Sequence, residues 1–278
     1  QQGAADKFYI LPYYISMLAA ALILPFAGML SDTLRKHSLF IAAFTLGCIV
    51  STAFIGLSHS LYSGIIFFAF ANFFNQIAAN VFYPALLPAV SAPENIARVS
   101  GLGVAFGYIG TLIGLFSVQP LIRHSQYSAA FLPSACLFLI FSLPCFLFVR
   151  DAAQKTERKA LLLLLKQEAQ KLAGTIRSIR SSKPALRFFS AILLAINGIN
   201  GILLNMGVYA KKVIGFSDTE LPLFIAGSTV FAFCSSLAFG FIVERIGAKR
   251  TLAYVLCGWV VALSVVSMVV QKSIFLII

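Results

Sequence analysis

Eight stretches of this 278-residue chain run for about twenty residues or more with scarcely a charge, and that pattern leaves few folds open. They lie near Phe8–Leu30, Leu39–Leu57, Leu61–Tyr83, Val99–Ile122, Ala129–Val149, Leu186–Tyr209, Leu221–Val243 and Thr251–Val270. At about 1.5 Å of rise per residue, each helix would cross roughly 30 Å of hydrocarbon. The residues are 60% hydrophobic and only 11% charged, whereas water-soluble domains carry about a quarter charged. A soluble core of this length has nowhere to put so much apolar surface, so the solvent is lipid. Inside lipid every backbone N–H and C=O must be bonded within its own segment, which predicts helices. The expected fold class is all-α membrane protein.

A ninth apolar run starts near Ser273, and the first residue is Gln1. Both ends are read as cut, with one helix expected before Gln1 and three after Val270.

The net charge of +12 invites a nucleic-acid reading, which fails on distribution. The basic residues cluster in short breaks between apolar runs. Residues 31–38, 89–98, 150–187 and 244–250 hold two, one, ten and three Lys and Arg, 16 of the 21. The opposite loops hold Lys7, Arg123, Lys211, Lys212 and Lys272. The richer side is expected to be cytoplasmic. The longest break carries Lys159 to Lys166 around five leucines, then Leu172, Ile176 and Ile179 among basic residues. This pattern fits an amphipathic helix lying on an anionic leaflet, and equally a solvated linker helix.

Two helix ends repeat one another. The first reads Gly28-Met-Leu-Ser-Asp32-Thr-Leu-Arg35-Lys36, and the other Gly240-Phe-Ile-Val-Glu244-Arg245-Ile-Gly247-Ala-Lys249-Arg250. Each is Gly, three residues, an acid, then a basic cluster, at a predicted cytoplasmic end. The separation suits a duplication of six-helix halves joined by the basic segment. The division expected is residues 1–150 for the N-terminal half, 151–186 for the linker and 187–278 for the start of the C-terminal half. A helix-end Gly admits close backbone approach, and the acid can cap a facing helix or pair with Arg. The plainer alternative is positive-inside charge with a capping acid.

The pair resembles the loop signature G-x-L-x-D-R-x-G-R-[KR] of the major facilitator superfamily. The second copy keeps nearly all of it, with Glu for Asp. The first lacks the Arg after Asp32 and the second Gly. The resemblance implies a major facilitator-type bundle of two six-helix halves, with about helices 2–9 present, and gating residues at Gly28, Asp32, Arg35, Lys36, Gly240, Glu244, Arg245, Gly247 and Lys249. A narrower resemblance is carried by Val81-Phe-Tyr-Pro-Ala-Leu-Leu-Pro88 and Arg98-Val-Ser-Gly-Leu-Gly-Val-Ala-Phe-Gly-Tyr-Ile-Gly110. These runs are similar to the vacuole effluxer-like branch, whose fungal members are associated with autophagy and amino-acid efflux. That implies an exporter, with amino acids as first guess. A bacterial inner membrane is favoured over a vacuolar one.

Gly103, Gly107, Gly110 and Gly114 form a ladder of small residues, expected to pack helices closely and open to a hinge role. Asn72, Gln76 and Asn80 fall on one helical stripe with Asn75 beside it, and Asn197 and Asn200 lie on a later span. Amides in hydrocarbon are costly unless paired. They are expected either to bond between helices or to line a cavity that binds a small polar substrate.

No acid, Lys, Arg or His lies in the middle of a span. A proton-coupled carrier usually keeps one on its path, so either that group lies in helices outside this chain or transport is uncoupled or coupled otherwise. An enzyme is disfavoured, since no HExxH, HxxxxD or paired-base pattern occurs, and no phosphate-binding loop marks a pump. Neither cofactor nor metal is expected. The five cysteines sit in apolar spans without ligand spacing. The expected partners are a small-molecule substrate, membrane lipids and a possible coupling ion, not nucleic acid. The rival reading is a non-transporting scaffold or receptor on the same bundle.

Overall fold

The computed structural model describes residues 2–34, 36–124, 126–149, 158–217 and 220–268. It is all helix among these residues. The helices are α1 (Gln2–Leu34), α2 (His37–Leu57), α3 (Leu61–Ile77), α4 (Tyr83–Val90), α5 (Ile96–Arg123), α6 (Phe131–Phe148), α7 (Arg158–Ser181), α8 (Lys183–Lys212), α9 (Glu220–Ile246) and α10 (Ala248–Met268). Eight segments are long and apolar enough to cross a membrane, one for each span expected from the sequence. Leu22, Phe106 and Phe231 stand more than half exposed, an arrangement that lipid or another helix accommodates and water does not. Serine and threonine hydroxyls in the spans bond back to their own helix: Ser51 to the Gly47 carbonyl, Ser142 to Phe138 and Thr229 to Ile225. This is how a short polar side chain is satisfied in hydrocarbon without a partner helix.

One span runs past its expected end. The span expected to end near Tyr83 runs on through a π-helical passage, Ala78–Phe82, by which α3 continues into α4 as far as Pro88 within one apolar span. Pro84 opens α4. Its nitrogen has no hydrogen for the Asn80 carbonyl that an α-helix would pair with it, and its ring crowds that carbonyl. Widening to i→i−5 bonding, as in Tyr83 N–H to the Ala78 carbonyl, carries the helix past this point.

The chain forms two compact units, Gln1–Ala92 with Ile113–Leu172, and Pro93–Leu112 with Ala173–Ile278. In the first, Ala20, Ala27, Ile41, Ile77, Phe82 and Leu86 are buried together, with Phe40, Phe44 and Val149 packed on them. The Phe82 ring lies 5.4 Å from that of Phe40 and 5.2 Å from that of Phe44. The end of α1, the start of α2, α4 and the end of α6 therefore share one face of this unit. At its opposite face α2 meets α6, where a Cβ on Gly56 would sit 3.0 Å from the Ser128 carbonyl oxygen.

In the second unit Ala210, Ile214 and Phe216 are buried against Leu221, Phe224 and Val266. The end of α8, the start of α9 and the end of α10 thus converge. Gly215 turns the chain there with φ of 81°, and Ser217 with Glu220 forms a reciprocal capping box for α9. Gly247, φ 85°, makes the turn from α9 to α10.

The first half of α5 groups with the later helices, and the start of α7 groups with the first unit. The α5 grouping follows from a close crossing with α9, described below. Within the linker, α7 is a continuous helix whose described side chains are almost all exposed, which suits a lipid surface or solvent equally. Residues 150–157 and the run from Ser273 lie outside the described residues.

Candidate functional site

The second copy of the repeated helix end is built against the start of α5. Gly240 is buried, and a Cβ there would lie 3.4 Å from the Ala97 carbonyl oxygen and 3.4 Å from the Arg98 Cα. Across the crossing, a Cβ on Gly101 would come within 2.8 Å of the Ser236 carbonyl oxygen and 3.3 Å of the Gly240 Cα. A side chain at 101 would force the two backbones apart, while Gly240 sits where a Cβ would just reach ordinary contact and anything larger would not fit. One turn beyond Gly240, Glu244 meets the opening turn of α5. Its Oε2 accepts from the Arg98 Nε at 2.5 Å, and its Oε1 accepts from the Arg98 backbone N–H at 3.3 Å. That N–H is among the first donors of α5, which have no intrahelical acceptor. Glu244 therefore pairs with a guanidinium and caps a helix together. The Arg98 guanidinium also lies 5.0 Å from the centre of the Phe241 ring. The Glu244 side chain is 15% exposed and that of Arg98 49%. Arg245 and Lys249 are exposed, and Gly247 forms the turn that follows.

The first copy is arranged differently. Gly28 is half-buried, and a Cβ on it would touch Val81 Cγ1 at an ordinary 3.5 Å. Asp32, 70% exposed, has His37 Nε2 at 3.7 Å, a charged pair only when the imidazole is protonated. Lys36 is exposed, and Arg35 lies outside the described residues. Arg98, Gly101 and His37 were not among the sequence candidates for this role. A signal for Gly101 was present: Ala97, Gly101 and Ala105 repeat every four residues on α5, and Ala105 is buried.

The glycine ladder faces open space among the described residues. A Cβ on Gly107, Gly110 or Gly114 meets nothing within 4 Å among the described residues, and Gly103 is half-buried. The tight crossing on α5 runs through Gly101 instead, because the Ala97–Gly101–Ala105 stripe is the one turned to α9.

The amides divide in two. Asn72 Nδ2 donates to Ser16 Oγ at 2.7 Å, and Ser16 in turn donates to the Tyr13 carbonyl, which ties α3 to α1. Asn80 Nδ2 donates to both the Gln76 carbonyl and Gln76 Oε1 at 2.8 Å, at the π-helical passage. Asn75 is exposed. On α8, Asn197 bonds back to the Leu193 carbonyl and borders an open cavity of about 370 Å³ with Phe189, Ser190 and Ile196. Asn200 is exposed on the same helix.

Eight lipid-length helices and a glycine-tight, acid-capped crossing at a helix end define a polytopic α-helical membrane protein with a repeated helix-end device. A family model described as Major Facilitator Superfamily matches residues 3–278, and the chain belongs to that superfamily, a family of membrane transporters rather than enzymes. It is 25% identical over 248 residues to an uncharacterized protein of Aquifex aeolicus (strain VF5), a match covering 88% of this chain and 59% of that one. The chain thus aligns with less than two thirds of that relative's length. No solved structure matches.

Proposed function

We infer that the whole protein is a secondary transporter that moves a small polar solute by alternating access, and that the α5–α9 crossing helps close its cytoplasmic side. The observation that carries this is the double engagement of Glu244 by Arg98 across the Gly101–Gly240 contact. A crossing held by two glycines and one charged cap is compact and has little side-chain interlock, so it can part and re-form as packed bodies rock. Superfamily membership supports the carrier class, and the bacterial relative supports an inner membrane. Export, with amino acids as cargo, rests on the resemblance of 81–88 and 98–110 to the effluxer-like branch. Asn75, Gln76 and Asn80 on the α3–α4 span and Asn197 and Asn200 on α8 supply polar groups for the path.

Full-length protein in proteoliposomes is expected to show saturable flux. Gly240→Leu is expected to lower it at least tenfold, with membrane insertion and yield unchanged. Saturable flux that is untouched by Gly240→Leu removes the gating role. Absence of saturable flux for any of a broad panel of polar metabolites leaves a scaffold or receptor.

A further inference from the structure

Exposure alone leaves α7 between lipid and water, and its joint to α8 separates the two. α8 enters the membrane from Lys183, and a single residue, Ser182, parts it from the end of α7. Ser182 has extended backbone, φ −95° and ψ 104°, which interrupts the helical path and turns α7 off the axis of α8. The joint is bonded on both sides. The Ser182 N–H donates to the Ser178 and Ile179 carbonyls, and the Ser182 carbonyl accepts from the Leu186 N–H at 2.9 Å. Pro184, in the first turn of α8, forfeits no helical hydrogen bond there. The last turn of α7 is thereby held at the level where α8 meets the headgroups.

The sequence of α7 suits a helix lying in that plane. At about 100° per residue, Leu161, Leu165, Leu172, Ile176 and Ile179 fall within about 60° of one another, a stripe about 27 Å long. Lys159, Lys166 and Arg177 fall together on one flank of the stripe, and Lys171 on the other. Glu168, at the edge of the stripe, stands three residues before Lys171, a spacing at which opposite charges pair. Gln167, Gln170, Ser178 and Ser181 occupy the far face, where Leu163 is the one leucine. Residues 158–187 hold eight Lys and Arg and one acid. Every described side chain of α7 is exposed except that of Ile179, which is half-buried.

Water would leave the stripe bare, and an apolar groove on a protein would leave the basic flanks without counter-charge. An anionic leaflet takes both, with the stripe among the acyl chains and the long Lys and Arg stems reaching up to the phosphates. We propose that α7 lies in the interface of the cytoplasmic leaflet and takes the phosphates of anionic phospholipids with Lys166 and Arg177. Each Lys or Arg at such a surface is worth about fivefold in binding. Docked in this way, α7 anchors the cytoplasmic start of α8 in the headgroup plane.

The test uses the full-length protein in lipid nanodiscs, where both faces meet water. It reads the rate at which single cysteines react with an uncharged polyethylene glycol maleimide. The positions are Leu165→Cys and Ile176→Cys on the stripe, and Gln167→Cys and Ser178→Cys on the far face. In phosphatidylcholine discs containing about one third phosphatidylglycerol, the far-face cysteines are expected to react at least tenfold faster than the stripe cysteines. In phosphatidylcholine alone that difference is expected to shrink at least threefold. Lys166→Gln with Arg177→Gln is expected to shrink it as much in the anionic discs. Should this double variant fail to reconstitute, about 1 M sodium chloride, which screens the same charges, gives the same reading. Millimolar inorganic phosphate added to neutral discs is expected to leave all four rates unchanged. Equal rates at the four positions in anionic discs place α7 in water and overturn the proposal. A difference just as large in neutral discs, or unmoved by loss of the two cations, overturns recognition of the headgroup charge. Protection of the stripe by free phosphate reassigns the ligand to a soluble anion and overturns the leaflet as its source.

Discussion

Arg98 and Glu244 are unequally buried, and that inequality sets the strength of their interaction. The carboxylate is mostly shielded and accepts two hydrogen bonds, one from a backbone N–H that has no intrahelical acceptor. The guanidinium is half exposed, so its share is screened by water and headgroups. A double-mutant cycle on Arg98→Ala and Glu244→Gln, followed by unfolding of the full-length protein, is expected to give a coupling of about 1 kcal/mol. Glu244→Gln alone should cost more than Arg98→Ala alone, since it weakens the bond to the backbone donor as well as the pair. Equal single costs with zero coupling would show that Glu244 does not cap α5. The acid was legible in the sequence because it recurs, as Asp32 and Glu244, at two corresponding helix ends. Its partner was not, since an Arg one turn into a helix 146 residues away carries no local mark of what it faces.

For helices packed without a hydrophobic drive, small residues matter only where another backbone comes close. α5 carries two candidate stripes, and the sequence reading took the one with more glycines. The structure places the approach on the Ala97–Gly101–Ala105 side, where even a methyl group at 101 would sit 2.8 Å from a carbonyl oxygen. Gly101→Ala is therefore expected to destabilise the full-length protein by about 1–3 kcal/mol through forced separation of α5 from α9. Gly107→Ala, which meets open space, should change it by less than about 0.5 kcal/mol. Thermal unfolding of both variants checks this, and the reverse order would return the packing role to the ladder. The number and type of the helices were legible, because about twenty apolar residues can do little else in lipid. The boundary after Tyr83 was not. Pro84 reads locally as a helix breaker, whereas the structure passes it through a wider hydrogen-bond ring beside which the Asn80 amide donates to the Gln76 carbonyl.

At the level of the whole molecule, sidedness ties the charge pattern to the packing. Within the first unit the starts and ends that bear Lys36 and Val149 lie at one face, and Gly56 with Ser128 at the other. Within the second, Arg98 and Glu244 meet at one end, while Ala210, Leu221 and Val266 gather at the other. Both groupings agree with the Lys and Arg count, which assigns the first-named end of each unit to the cytoplasm. Single cysteines at Lys36, Arg245 and Lys249 are then expected to react with a membrane-impermeant maleimide only from the cytoplasmic side. Cysteines at Ser60 and Lys212 should react only from the opposite side. The native cysteines add little background, because Cys48, Cys136, Cys145, Cys234 and Cys257 all lie within spans, out of reach of a reagent confined to water. If Lys36 and Lys249 label from opposite faces, an odd number of crossings separates the two repeats. They could not then be corresponding ends of related six-helix halves, and Asp32 and Glu244 would resemble each other by composition alone.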